Sequence, residues 1–337
     1  MSKNINSHTP SLPILVTGAA GFIGAKTCQL LLDQGKVVIG VDNLNDYYDV
    51  SLKEHRLEEL KQCKDFKFYK IDVENEDEIH GIYDQYKFET VINLAARAGV
   101  RYSMENPRVY MKTNSMGTLN LLESMRALGG KKFVLASTSS LYAGQPMPFV
   151  EELPVNTPIS PYAATKKAAE AMAFTYHHLY GIDVSILRFF TVYGPADRPD
   201  MAIHRFIQWI DRGHPIKLYG DGSQARDFTF IDDIARGVVL AQKPVGHEIV
   251  NLGGGQNPIS IKEVIAKIEV LLGKKAKIEN LPSHKADMKE TWASIEKARQ
   301  LFDWTPEISL DAGLEQSVDW YRKNSPWASD IDLGVKN

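Results

Sequence analysis

The chain is poor in cysteine: Cys28 and Cys63 are the only two in 337 residues, and they form no C-x-x-C pair. That excludes a disulfide framework and a cysteine zinc site, and it fits a reducing compartment. There is no surplus of positive charge either. With 39 Lys and Arg against 42 Asp and Glu the net charge is −3, so neither nucleic acid nor an anionic membrane is an expected partner. No run approaches the roughly 18 apolar residues of a membrane-spanning helix, and residues 1–13 lack the apolar stretch of a signal peptide. A soluble, cytoplasmic protein is expected. H-E-x-x-H, G-x-x-x-x-G-K-[ST] and G-x-S-x-G are all absent, which removes the signatures of zinc proteases, phosphate-loop kinases and α/β-hydrolases. His177 and His178 are adjacent on an expected helix and point apart, so no metal site is expected.

What is present is a rhythm. From residue 14, short apolar runs at 14–17, 37–41, 66–71, 90–94, 132–136 and 183–189 alternate with amphipathic stretches at 22–34, 51–62, 75–86, 106–128 and 161–180. This βαβ alternation predicts an α/β fold, a Rossmann-like doubly wound parallel sheet whose ligand crevice lies at the carboxyl ends of its strands. After Pro195 the alternation weakens into a helix at 200–212, a strand at 248–252 and helices at 260–272 and 310–323. Residues 14–195 therefore read as a dinucleotide-binding domain carrying the catalytic residues. Residues 196–324 read as a smaller C-terminal α/β substrate-binding lobe that can interleave with the first. The termini, 1–13 and 325–337, are expected to be flexible.

The first strand runs into Gly18-Ala19-Ala20-Gly21-Phe22-Ile23-Gly24 as the first helix opens. Glycines there allow a tight turn and a close backbone approach to a pyrophosphate, which the helix N-terminus attracts. A strand-to-helix turn that merely needs positive φ fits the same glycines. Asp42 ends the second strand 18 residues after Gly24, near the offset of about 20 at which a carboxylate meets the adenosine ribose, and so favours NAD over NADP. Asp72-Val73, after the third strand, is placed to meet the adenine.

Tyr162 and Lys166 follow Pro161 at i, i+4, on one face of a helix. A phenol with a nearby ammonium and a cationic nicotinamide can ionise towards neutral pH and serve as a general base. Any Tyr on an amphipathic helix can satisfy Y-x-x-x-K, so the fifth strand matters. It ends in Ser137-Thr138-Ser139-Ser140, hydroxyls able to hold a reacting oxygen or, equally, to cap their own turn.

Taken together these residues resemble the extended short-chain dehydrogenase/reductases, the NAD-dependent epimerase/dehydratase family, over residues 14 to about 322. Leu187-Arg188-Phe189-Phe190-Thr191-Val192-Tyr193-Gly194-Pro195 and Arg198-Pro199-Asp200-Met201-Ala202 look most like its UDP-glucuronate 4-epimerases. The resemblance implies an isomerase that converts UDP-glucuronate to UDP-galacturonate through a transient 4-keto sugar, with NAD recycled and a homodimer as the assembly. It implies Thr138 beside Tyr162, and Lys166 on the nicotinamide ribose. It puts Ala95, Ala96 and Asn114 near the cofactor, and Ser139, Ser140, Thr191 and Arg198 around the sugar carboxylate. Arg226 is implied on the diphosphate and Asp287 near the uridine ribose. Three positions depart from the pattern: Arg97 for His or Gln, Ala196 for Trp, and Ser294 for Asp. A 4,6-dehydratase of this type carries adjacent acids where Ser139 and Ser140 stand, and a decarboxylase usually has Glu at 140. A 4-epimerase of UDP-glucose or another UDP-sugar, or a non-catalytic NAD-binding regulator, remain the alternatives.

Overall fold

The computed structural model describes residues 12–255, 258–282 and 289–333. Six strands follow the sequence rhythm: β1 (Ile14–Thr17), β2 (Val38–Asp42), β3 (Phe66–Lys70), β4 (Thr90–Asn93), β5 (Lys132–Thr138) and β6 (Asp183–Phe189). Every residue of β1, β2, β4 and β5 is buried. That is why they read as unbroken apolar runs: helices cover both faces of a parallel sheet. The covering helices are α1 (Phe22–Asp33), α2 (Ser51–Lys61), α3 (Glu76–Gln85), α4 (Val100–Glu105), α5 (Pro107–Tyr110), α6 (Gly117–Leu128) and α7 (Pro161–Tyr180). α7 starts where expected because Pro161 takes its first position and Ser160 accepts a hydrogen bond from the Ala163 amide. It stops at Gly181, whose φ is +70°.

The second half contributes β7 (Thr191–Tyr193), α8 (Ala202–Arg212), β8 (Pro215–Tyr219), β9 (Ala225–Arg226), β10 (Phe228–Phe230), α9 (Ile231–Leu240), β11 (His247–Leu252), β12 (Ile259–Ser260), α10 (Ile261–Leu272), β13 (Lys277–Leu281), β14 (Glu290–Thr291), α11 (Glu296–Phe302) and α12 (Leu310–Ala328). The main sheet has the order β11-β6-β5-β4-β1-β2-β3, with every pair parallel. The order reverses between β1 and β4, and the crevice at their carboxyl ends is where such sheets take ligands. The strand expected at 248–252 joins this sheet as its edge, beside β6. α9, which the sequence pattern did not reveal, packs on α1. The chain after residue 195 thus returns to the first sheet instead of building only a separate lobe.

Two expectations need correction. The helix expected over 106–128 is interrupted by a π-helical turn at Met111–Met116. The widened turn presents Asn114 inward, where its side chain bonds Arg97 and Thr165. The end expected to be flexible from 325 is ordered through Leu333. α12 continues across Pro326, Ala328, Ile331 and Leu333 are buried, and Gln208 Nε2 donates to the Ser329 and Ile331 carbonyls at 2.7 and 3.2 Å. A few apolar residues in an otherwise polar tail supply that anchoring.

Candidate active site

One cavity of about 430 Å³ opens at the carboxyl ends of the central strands. Its floor is the turn after β1. Gly18 has a φ of +68°, and a Cβ there would lie 2.7 Å from the Ala95 amide nitrogen. A Cβ on Gly24 would fall 2.0 Å from the Gly18 carbonyl oxygen. Only glycine permits this turn to sit so close to the loop after β4. α1 begins at Gly21 without any side-chain cap, so its first amides and its dipole remain available to an anion.

Asp42 is buried on the cavity wall. Its Oδ1 accepts from the Leu44 amide at 2.8 Å and its Oδ2 from the Ala20 amide at 3.3 Å. Asp72 accepts from Asn43 Nδ2 at 2.8 Å and from the Glu74 amide at 2.9 Å, and it lines the same wall with Val73. Phe22, Ile23, Ala95 and Ala96 complete this side. A glycine cradle, an uncapped helix start and a buried carboxylate at the second strand's end are what a dinucleotide needs, so these residues fit NAD. Asn114 does not line the cavity. It fixes the loop from behind, with Oδ1 accepting from the Arg97 amide at 2.9 Å and Nδ2 donating to the Arg97 carbonyl at 3.0 Å.

β5 and α7 bring Thr138, Tyr162 and Lys166 to the opposite wall. Thr138 and Tyr162 line the same wall, and the Thr138 hydroxyl eases ionisation of the phenol. Lys166 Nζ donates to the Ala136 carbonyl at 2.9 Å. Burial raises the Tyr162 phenol above its ordinary value, opposed by the Thr138 hydroxyl and by the Arg198 charge. Burial likewise lowers the Lys166 ammonium to about 8, against the pull of Glu170 one turn further along α7. The ammonium is turned to a backbone carbonyl, and Thr138 and Arg198 are the protein groups that favour the phenolate.

Ser139 and Ser140 follow Thr138 in a 3₁₀ turn at Ser139–Tyr142, where the Ser140 amide donates to Thr138 Oγ1 at 3.1 Å. Both face the cavity, as do Thr191, Arg198 and Arg226. Arg198 is engaged in a way the sequence did not suggest, with Nε 3.0 Å from Asp200 Oδ1 and Nη2 2.5 Å from Asp200 Oδ2. Its other N–H groups are left for a further acceptor. Arg226 Nη1 donates to the Ala225 carbonyl at 2.8 Å. Asp287 lies outside the described residues.

Several cavity residues were missed by the sequence reading. Tyr47 lines the wall with its ring beneath both Arg97 and Arg198, 5.8 and 5.7 Å from their guanidinium carbons. Lys53 Nζ stands 3.7 Å from Asp42 Oδ1. Asp197 is buried next to Arg198, and desolvation pushes its carboxyl up to about 8. All lie in irregular segments or one helix away, where no spacing rule reaches. Of the three departures, Arg97 lines the cavity, Ala196 adopts a left-handed φ of 53°, and Ser294 is used through its backbone, donating to the Phe149 carbonyl. No group of three or more His, Cys, Asp or Glu suited to a metal occurs among the described residues.

A family model described as the NAD dependent epimerase/dehydratase family matches residues 14–253. The chain is 61% identical over 310 residues to a UDP-glucuronate 4-epimerase of Thermodesulfobacterium geofontis, spanning 92% of this chain and 96% of that one. Among solved structures, it superposes on UDP-glucuronic acid 4-epimerase from Bacillus cereus in complex with UDP-glucuronic acid and NAD with a TM-score of 0.87 at 38% identity, covering 93% and 100% of the two chains. UDP-glucose 4-epimerase of Thermotoga maritima with UDP-glucose gives 0.84 at 30% identity, with 93% and 100% coverage. Cradle, hydroxyl cluster and these likenesses agree: the chain belongs to the NAD-dependent epimerase/dehydratase family.

Proposed function

We propose that this protein is an NAD-dependent UDP-glucuronate 4-epimerase that interconverts UDP-glucuronate and UDP-galacturonate with no net redox change. The observation that carries the reading is the composition of one cavity wall. Tyr162 and Thr138 line it together, Lys166 lies one turn away, and the neutral Ser139 and Ser140 stand beside them, with Arg198 lining the same cavity. The 61% identical relative is named for the same reaction.

In this reading Gly18, Gly21 and Gly24 with the α1 N-terminus hold the cofactor's pyrophosphate, Asp42 takes the adenosine ribose and Asp72-Val73 borders the adenine. When bound, NAD supplies the hydride acceptor and donor for C4. Tyr162 removes the C4 hydroxyl proton as that carbon is oxidised, and returns it to the new alcohol after the 4-keto sugar has turned its other face. Thr138 orients the phenol and the reacting oxygen. Ser139, Ser140 and Thr191 offer uncharged hydrogen bonds to the sugar carboxylate, and Arg198 offers charged ones. With no acid at 139 or 140 there is nothing to protonate a departing C6 hydroxyl, which disfavours dehydration. A held carboxylate is kept from the alignment in which the β-keto acid loses carbon dioxide. Arg226 serves the diphosphate.

A second reading, a 4-epimerase of neutral UDP-glucose, is favoured by one observation: Asp200 already neutralises Arg198. Incubating the purified protein separately with UDP-glucuronate and UDP-glucose, with NMR identification of products, separates the two. A homodimer is supported by Met111, Met116 and Phe174, large apolar side chains exposed on or beside α6 and α7. A solution mass twice 37.8 kDa tests it. A cytoplasmic site is supported by the two free cysteines, one of them buried in the core.

A further inference from the structure

Arg56 on α2 does not line the cavity, yet it bonds two turns that border it, the one after β1 and the one before Arg198. The side chain is 4% exposed. Nη1 donates to the Ala20 carbonyl, inside the glycine turn, at 3.0 Å, and to the Tyr48 hydroxyl at 3.0 Å. Nη2 donates to the Ala196 carbonyl at 2.6 Å. Nε is buried without a partner, and no carboxylate lies within ion-pair distance among the described residues. A buried guanidinium that spends its hydrogen bonds on two carbonyls 176 residues apart is costly unless that geometry is needed. Ala196 is itself unusual, a non-glycine residue at a φ of 53°, two residues before Arg198. The left-handed turn sends the chain back so that Asp197 and Arg198 face the cavity, and the Arg56 bond to its carbonyl is a contact that holds it.

We propose that Arg56 is a positioning residue that ties the dinucleotide turn to the loop bearing Arg198, so that the sugar's carboxylate meets Arg198 only when Ala196 is held in its left-handed turn. This rests on the reading of Arg198 as the carboxylate ligand. Arg56 itself touches no substrate atom. It acts through the Ala20 and Ala196 carbonyls, and a lysine, with one compact ammonium, cannot span both.

The test compares the NAD-loaded wild type with Arg56→Lys, Arg56→Lys with Ala196→Gly, Ala196→Val and Arg198→Ala. KM and kcat for UDP-glucuronate, the pentose fraction of product by NMR and the melting temperature are measured for each. Arg56→Lys is expected to raise KM about tenfold with kcat changed less than threefold, and to raise the pentose fraction. Adding Ala196→Gly, which enters the left-handed region freely, recovers most of the lost KM without restoring any lost melting temperature. Ala196→Val, which strains the same turn with Arg56 intact, reproduces the KM increase and carries the test if Arg56→Lys does not fold. The proposal is overturned if a folded Arg56→Lys keeps wild-type KM and product ratio, if glycine at 196 gives no recovery, or if a folded Ala196→Val binds normally. If Arg198→Ala is silent while Arg56→Lys shifts KM, the carboxylate reading falls and this proposal falls with it, because the shift is not transmitted through Arg198. The opposite pattern removes the positioning role alone.

Discussion

Replacing Arg198 with alanine tests the carboxylate site most sharply. Its guanidinium is held by two bonds to Asp200, at 3.0 and 2.5 Å, and the side chains are only 18% and 24% exposed. The remaining N–H groups can bind a planar carboxylate with charge-assisted bonds, each type worth about 1.5–3 kcal/mol. Losing that contact weakens UDP-glucuronate epimerisation by roughly tenfold to a hundredfold in kcat/KM. The structure adds a second effect in the same direction. Without Arg198, Asp200 has lost its counter-charge, and the incoming sugar carboxylate faces it directly. Partly exposed charges interact by about 0.2–1 kcal/mol, so Asp200→Asn in the Arg198→Ala background is expected to recover up to about fivefold. A carboxylate no longer gripped also rotates more freely, so the fraction of decarboxylated pentose product rises. Steady-state kinetics with NMR product analysis checks all three outcomes. Unchanged kcat/KM and product ratio in Arg198→Ala would refute the assignment and favour the neutral-sugar reading.

Tyr162→Phe should fold, keep NAD and lose at least about a hundredfold in turnover, the low end for general acid–base catalysis; near-normal turnover removes Tyr162 as the base. Lys166 carries a pH signature: burial lowers its ammonium from 10.5 to about 8. Where the charged form is needed, the Lys166 contribution to activity is complete well below pH 8 and falls about tenfold per unit above it. The sign for stability is opposite, because the cost of keeping Lys166 charged is present below pH 8 and fades as the pH climbs towards 10.5. A kcat profile flat to pH 10 contradicts the activity claim. Denaturing the purified protein should release NAD and not NADP, since Asp42 stands where a 2′-phosphate would be repelled.

The main sheet was legible because buried parallel strands leave long apolar runs and because glycines punctuate the first crossover. That Tyr162 and Lys166 share a face was legible for a similarly local reason, since they are one helical turn apart, and both line the cavity. What escaped was everything set by distant pairing. β11 looked like part of a second lobe, yet its partner is β6, more than 50 residues earlier, and no local pattern encodes that choice. A π-helical turn directs Asn114 to the backbone of Arg97, which lines the cavity, and helical periodicity does not reveal such an insertion. Lys53, Tyr47 and Arg56 follow β2 in an irregular loop and the helix after it. Their roles depend on what folds against them, Asp42 in one case and Ala196 in another. The tail from 325 reads as polar, yet Ala328, Ile331 and Leu333 in it are buried.

The central claim is inversion at C4 by removal and return of the same hydride within one cavity. UDP-glucuronate carrying deuterium at C4, incubated in ordinary water with the purified protein, tests it directly. The expected result is UDP-galacturonate that retains deuterium at C4, forms without stoichiometric consumption of added NAD, and reaches equilibrium with the starting sugar. Label lost to solvent, a pentose as the main product, or UDP-glucuronate left unchanged while UDP-glucose is epimerised would contradict the account.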